Sequence, residues 1–516
     1  MNRPYIITLL ATMLVWTLAS PAADLVPKPL LPVGKSRPSR SSVLLLGQPL
    51  SPAIVESVQT SMEDVTTLYR LDQKTETVEQ LLGLIKSAEG KRMLARTWHV
   101  LVINLSADGD ATTQIRTRLE KIDAHIIWRE PGQKADAKSL EETLTQALLK
   151  NSTPWATLPK DEKRDPAQLL KQDGLLSNPA SLPLVPSQTS MVFRAEEGQW
   201  QFNLHSYIAH HEGKFWATWS SGRVDEDSSN QFIRYATSKD GLKWSDSGVV
   251  AGDPDGEVGP LRWLASGLYV EDGKLYALGC LNEGSDKKGK IWAEAKLVRL
   301  QWTKDGWKDL GVFADNCMVY FPPMKVAGRD FFVWRDERAH FFTARSLPGK
   351  AQWEVKKHPN FPPDYRMSET SSYADADGTL HLIIRDQAKT RRLYHSLSFD
   401  NGDTWTLPVK TNYPDAVSKN MAGRLSNGLY YLINNPMETG RDPLSISVSR
   451  DGWTFGSPKN LRVGSPARRY PGGAKNDHSF QYSHAIEHDG KLWVIYATNK
   501  EDIEVSAFDI EALVKE

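Results

Sequence analysis

The residues able to do chemistry cluster at four places in this 516-residue chain. Arg223-Val224-Asp225-Glu226-Asp227 is a short acidic loop. Glu369-Thr370-Ser371-Ser372 leads through Asp377-Gly378-Thr379-Leu380 to Arg385. Arg441 stands in Gly440-Arg441-Asp442-Pro443-Leu444, and Tyr482 in Phe480-Gln481-Tyr482-Ser483-His484. Carboxyl groups in such positions move protons, and guanidinium forks match a carboxylate bidentately while keeping their charge. The same residues have plain structural readings: a solvated acidic loop, an ion pair between Glu369 and Arg385, a loop arginine bonding Asp442, a packed tyrosine. Other chemistries lack their residues. No His, Cys and Asp grouping has metal-ligand spacing, and no glycine-rich loop is built for phosphate, so neither metal nor cofactor is expected.

These groups depend on a repeating β framework from about residue 190 onward. Lys214-Phe215-Trp216-Ala217-Thr218-Trp219, Leu275 to Leu278, Asp330 to Trp334, Leu380 to Ile384, Leu429 to Ile433 and Leu492 to Tyr496 are short β-type runs, most preceded by a Gly-containing turn. A period of about 50 residues without helical periodicity is the mark of a β-propeller. A second element keeps the same register. Ser398-Phe399-Asp400-Asn401-Gly402-Asp403-Thr404-Trp405 is a full Ser-x-Asp-x-Gly-x-Thr-Trp box, with shorter copies at Ser238 to Trp244 and Ser449 to Phe455, and weaker ones at Thr303 to Trp307 and around Trp353. Asp suits the turn because its carboxylate takes backbone N–H groups, and Gly because it tolerates positive φ. The aromatic is expected to pin that turn onto its blade. With anchors at 244, 307, 353, 405 and 455, the cadence closes at six blades.

The boxes resemble the Asp-boxes of the sialidase-like (BNR-repeat) propellers, over about two thirds of the chain. The boxes themselves are structural, and propellers with no glycosidase activity carry them, so function rests on the pocket. In that family three arginines clamp the substrate carboxylate, a Tyr paired with a Glu is the nucleophile, and an Asp is the acid. The resemblance implies Tyr482 as nucleophile, Glu369 as its base, Arg385 and Arg441 as second and third arginines, and Asp227, then Asp225, as acid. The first arginine is missing: Asn203-Leu204-His205-Ser206-Tyr207-Ile208 puts His205 in its place, with Arg194 upstream as a possible substitute. Arg223 and Arg335 are further candidates for substrate binding, and Arg262, Glu337, Arg338 and Tyr365 for lining the pocket. Each charged hydrogen bond in such a clamp is worth about 1.5–3 kcal/mol, so its loss widens the expected substrate from sialic acid to other acidic or even neutral sugars. The implied activity is that of a retaining exo-glycosidase acting on a glycan. The alternative is a propeller that binds glycan without turnover.

Residues 41–172 alternate differently. Val43 to Leu46, Thr66 to Tyr69, His99 to Asn104 and His125 to Trp128 read as strands, with amphipathic helices between, which predicts a three-layer α/β accessory domain with a parallel sheet. This part is faintly similar to the SGNH (GDSL-type) hydrolases, but Gly47-Gln48-Pro49 stands where their serine belongs, and a flavodoxin-like domain explains the pattern as well. Residues 173–188 read as a turn-rich linker and 189–516 as the propeller. Ahead of these, an apolar run from Ile6 to Leu18 followed by Ala19-Ser20-Pro21-Ala22-Ala23 reads as a secretory signal over 1–23, then a Pro-rich linker over 24–40, and places the protein outside the cytoplasm, secreted or periplasmic. The run is shorter than the ~20 residues of a spanning helix, so no stable membrane insertion is expected. Lys plus Arg and Asp plus Glu both total 63, which leaves no global field for nucleic acid. Cys280 and Cys317, the two cysteines, either pair or stay buried and free. The 17 Trp, more numerous than Tyr or Phe, suggest a repeat that uses one per unit.

Overall fold

The structure, a computed structural model, describes five strands and a few further residues of the first 152. Beyond these it describes residues 155–515 apart from 227–229, 253–260, 284–292, 316, 336–339, 348–352, 360–366 and 471–477. The chain divides into two compact units, Met1–Ser152 and Thr153–Glu516. In the first, Ser42–Gly47 pairs in parallel with Thr67–Asp72 on one side and His99–Ile103 on the other, and His99–Ile103 pairs in parallel with His125–Arg129. Lys28–Pro29 adds to the edge antiparallel. Of the expected helices only Thr113, Gln114 and Thr117 are described, and these are helical; the rest lie outside the described residues, as does the signal segment, and the likeness to SGNH hydrolases finds no support.

The second unit contains six antiparallel sheets that follow one another along the chain, each a propeller blade. Blade 1 runs from Phe202–His211 on the inside to Gly248–Ala251 on the outside, and blade 2 from Leu261–Glu271 to Gly306–Asp315. In blade 3 the inner strand is split into Met318–Val319 and Met324–Val326, both paired with Arg329–Arg335. Blade 4 spans Met367–Ala374 to Val409–Pro414 and blade 5 Met421–Arg424 to Gly456–Arg462. Blade 6 takes three strands from the chain end, Phe480–His488, Lys491–Thr498 and Asp502–Asp509, and its fourth from Gln188–Phe193. The first and last strands of the unit thus share a sheet and close the ring. Strands inside a blade are sandwiched between neighbouring blades, so Leu380–Asp386 is buried throughout, while the outer Trp353–Lys357 is not.

Residues 155–187, expected to end the α/β domain and form a linker, belong to the second unit. Ala156, Leu170 and Leu184 form single parallel bridges to Thr406, Phe455 and Asn460, and Leu169, Leu170 and Leu176 are buried with Tyr413 and Phe455. The segment therefore straps the outer side of blades 4 and 5. Apolar spacing in a strap follows the groove it fills, so its leucines carry no strand or helix period.

The box turns do more than cap themselves. In each of the three clear boxes the Ser hydroxyl donates to the Asp carboxylate and accepts the Gly N–H, and the Asp collects backbone N–H groups further on. Gly241 and Gly402 have φ of +72° and +89°, and a Cβ there meets Trp493 of blade 6 and Phe331 of blade 3 at 2.2 and 2.6 Å. Trp405 packs on Phe341 of blade 3, and Trp453 donates to Asp375 of blade 4 at 2.9 Å. The aromatic therefore pins the turn to the preceding blade, where the sequence reading placed it on its own. Among the described residues blades 2 and 3 show no full box. Thr303 and Gly306 face each other across a tight hairpin, and Trp353 lies within a strand.

Candidate active site

Four inner strands carry a register shift near the same end: between Leu204 and Tyr207, Ala265 and Gly267, Met367 and Thr370, and Gln481 and His484. A bulge re-aims the side chain it contains. His205, with φ of 53°, and Tyr482, with φ of 60°, sit inside two of these bulges in the left-handed region, and Glu369 sits in a third. Their rings meet edge to face with centroids 5.1 Å apart.

Tyr482 donates its phenolic proton to Glu369 Oε1 at 2.6 Å. Arg385, at the end of the next strand of blade 4, donates from Nη1 both to Glu369 Oε2 at 2.6 Å and to the Tyr482 oxygen at 2.8 Å. Ser368 donates to Glu369 Oε2 at 2.6 Å. All three members of this triangle are buried, and Arg385 Nε has no partner among the described residues. Burial works against the Glu369 charge, but Arg385 with the Ser368 and Tyr482 hydrogen bonds outweighs it and holds the carboxyl well below the usual range. Burial pushes the Tyr482 phenol far up, against the pull of Arg385. The resting proton therefore stays on the tyrosine, beside a carboxylate placed to receive it.

Arg441 lies with its guanidinium 5.6 Å from the Tyr482 ring centre, donates from Nη2 to the Val417 carbonyl at 2.8 Å, and contacts the Gln481 side chain. His205 is kept neutral because burial pushes it down to about 4. It provides no fixed charge where the first arginine is expected. Of the acidic loop, Asp227 lies outside the described residues and Asp225 is half-buried. Glu226 pairs with Lys500. Burial raises it, but the charge and the hydrogen bond of Lys500 bring it down to about 2.

Not every predicted residue reaches the axis. Arg194 is exposed, immediately after the outermost strand of blade 6, which excludes it as a stand-in for the first arginine. Arg223 is exposed, 5.7 Å from the Trp200 ring centre. Arg335 is half-buried with its guanidinium 5.6 Å from the Tyr320 ring centre, whereas Arg262 is buried. Glu337, Arg338 and Tyr365 lie outside the described residues. The reading missed Lys419, Lys500 and Asp415, all buried. None belongs to a motif, and a polar run such as Asp415 to Asn420 resembles any surface loop. Among the described residues no group of His, Cys, Asp and Glu is arranged to hold a metal ion. Nor is any helix among them long and apolar enough to cross a membrane. Cys280 and Cys317 are both buried, with Cys280 Sγ 3.7 Å from the Cys317 carbonyl oxygen.

Residues 213–494, more than half of the chain, match the profile of the BNR repeat-like domain. No curated protein matches the chain significantly. Among solved structures, a protein of unknown function from Dyadobacter fermentans is 14% identical, with 64% of this chain and 100% of that one covered and a TM-score of 0.51. A sialidase is 22% identical over 69% of this chain, with a TM-score of 0.47, and the match spans 35% of its own length. The intramolecular trans-sialidase from Ruminococcus gnavus, solved with oseltamivir carboxylate, is 12% identical over 63% of this chain and 98% of that one, with a TM-score of 0.48. At these identities the likeness speaks to fold alone.

Proposed function

The chain belongs to the BNR repeat-like domain family, and from that premise and the geometry at the axis we propose that it is a retaining exo-glycosidase acting on an acidic sugar of a glycan. The observation that carries the reading is the triangle of Tyr482, Glu369 and Arg385, in which a phenol, a proton acceptor and a fixed cation share two short hydrogen bonds and a third. Tyr482 Oη attacks the anomeric carbon as its proton passes to Glu369, and the glycosidic bond breaks. Asp227, or Asp225 beside it, gives the leaving oxygen its proton. Water then attacks the glycosyl–tyrosine bond, the acidic loop takes the water proton, and Glu369 returns its proton to Tyr482. Two inversions give retention, with tyrosine as the recognised exception to a carboxylate nucleophile. A phenol suits this site because a second carboxylate nucleophile is repelled by the substrate's own negative charge. The proton leaves Tyr482 only when positive charge develops at the sugar, which confines ionisation to the transition state. Arg385 Nη1 organises the pair, and its unpartnered Nε supports a role in holding the sugar's anionic group together with Arg441.

The amino-terminal Ile6 to Ala23 pattern supports a secreted or periplasmic location. A second reading, glycan binding without turnover, is favoured by the neutral His205 at the first-arginine position. Tyr482→Phe separates the two. The variant is expected to keep the circular-dichroism spectrum and glycan binding of the parent while release of reducing sugar falls by about 10³-fold or more. Turnover near the parental rate overturns the tyrosine mechanism, and a parent that binds but never turns over establishes the second reading.

A further inference from the structure

Lys419 has no part in the reaction above. It lies just ahead of Met421–Arg424, the inner strand of blade 5, and is 1% exposed. Its Nζ donates to the Tyr207 hydroxyl at 3.1 Å and sits 4.2 Å from the Tyr207 ring centre and 4.3 Å from that of Phe321. Tyr207 belongs to blade 1, and Phe321 to the split inner edge of blade 3. Blades 1, 3 and 5 are not neighbours in the ring, so their side chains meet only at the axis. The ammonium therefore plugs the central channel. It does so next to the reacting pair: Tyr207 packs on His484 with centroids 5.2 Å apart, adjoining the contact of His205 with Tyr482 on the same two strands.

A lysine buried this deeply ordinarily has a carboxylate beside it. Lys419 has none within ion-pair distance among the described residues. Among the described residues its ammonium donates to Tyr207, whose own proton goes to the Tyr320 carbonyl at 2.7 Å. Glu369 is paired with Arg385 and Glu226 with Lys500, so the ion pairs of both are made with other cations. Two aromatic faces offset part of the desolvation. We propose that Lys419 determines specificity for a carboxylated sugar, supplying from the floor of the channel the positive charge that His205 does not supply at the first-arginine position. This rests on the glycosidase reading and deepens it by assigning charge selectivity to a residue outside the arginine set.

Protonation gives the role a signature. Burial pushes Lys419 down to about 7, with Glu369 pulling the other way. The titratable groups that act on it are Tyr207 and His205 of blade 1, Glu369 of blade 4 and His484 of blade 6; Tyr320 of blade 3 accepts from Tyr207, Arg385 and Tyr482 bond Glu369, and Asp415 stands four residues before it in sequence. Burial holds His205 and His484 down to about 4 and about 3, lifts the tyrosines, and raises Asp415 to about 6. At about pH 8, therefore, Lys419 is the group among these that a docked carboxylate converts to its charged form, with uptake of a proton.

Titration calorimetry in two buffers of different ionisation enthalpy tests this on the full chain. The probes are 2,3-didehydro-N-acetylneuraminic acid, glucuronate and galacturonate, each beside its methyl ester. The wild type is expected to prefer the acid of at least one pair and to take up a proton at pH 8. Lys419→Met, which keeps the stem, is expected to bind that acid about ten-fold more weakly, to bind the ester unchanged, and to take up no proton; Lys419→Gln is expected to behave alike. Unchanged acid affinity and uptake in both variants, or equal loss for acid and ester, overturns the role of Lys419 alone. A wild type that binds no probe overturns this role and the acidic-sugar reading together. Selective loss in Lys419→Met alongside full turnover by Tyr482→Phe overturns the tyrosine mechanism and leaves the role of Lys419 standing.

Discussion

The rim and the axis of the propeller use the same strands in opposite ways. At the rim, the boxes of blades 1, 4 and 5 repeat one solution: Ser, Asp and Gly saturate a turn, and an aromatic or glycine surface seats it on the preceding blade. At the axis nothing repeats. Blade 1 contributes His205, blade 4 Glu369 and Arg385, and blade 6 Tyr482, while Arg441 and Lys419 come from loops beside blade 5. Repetition suits a task that every blade shares, which is holding its neighbour. A reaction centre needs unlike groups in one place, and a ring of blades supplies one position from each.

The comparison is broken most sharply at the axis. Arg385→Met is expected to lower turnover by about 10³-fold and also to destabilise the fold by about 3–5 kcal/mol, because Glu369 is left as a buried charge without its cation. Kinetics and urea denaturation on one preparation measure both, and a variant as stable as the parent contradicts the ion-pair account. Acid comes next and acts on both regions. Burial keeps His395 and His358 down to about 3, like His484, and His205 down to about 4. A depressed histidine favours the folded state fully above its unfolded value near 6.5. That stability is lost as pH falls, at roughly 1.4 kcal/mol per pH unit for each such histidine. Denaturation midpoints are expected to drop steeply between about pH 6.5 and 4, and a flat profile contradicts the neutral-histidine assignment.

Smaller effects belong to the rim. Asp400→Ala removes the acceptor of Ser398, of the Thr404 N–H and of its hydroxyl, and is expected to cost about 1–2 kcal/mol while turnover per folded molecule is unchanged. A fall in turnover at full stability places the box in the reaction and erases the distinction. Least of all, Arg194→Ala is expected to change neither activity nor melting temperature, since the residue is exposed at the outer edge. A rise in KM there restores it to the clamp.

Legibility followed the same division. The Asp-boxes are local, so their turn chemistry could be read directly, and blade number followed from their cadence. The partner of each turn could not be read, because packing onto the preceding blade joins residues such as Gly241 and Trp493 that are far apart in the chain. At the axis, Glu369, Arg385, Arg441 and Tyr482 were found because their order resembles a family pattern. Lys419 was not, because nothing around it distinguishes a channel plug from a solvated lysine. The strap over 155–187 and the closing strand Gln188–Phe193 were missed for a related reason: their places are defined by strands that come hundreds of residues later.

Amino-acid order alone determined the repeating β architecture, the box turns and the residue types available for the reaction, since each depends on spacing within a few residues. Tertiary structure alone decided which of those residues share a proton, that His205 brings no charge, and that Lys419 stands on the axis. Bulges in the inner strands and closure of the ring set these outcomes, and both are properties of strand register between distant segments, which no short stretch of chain encodes.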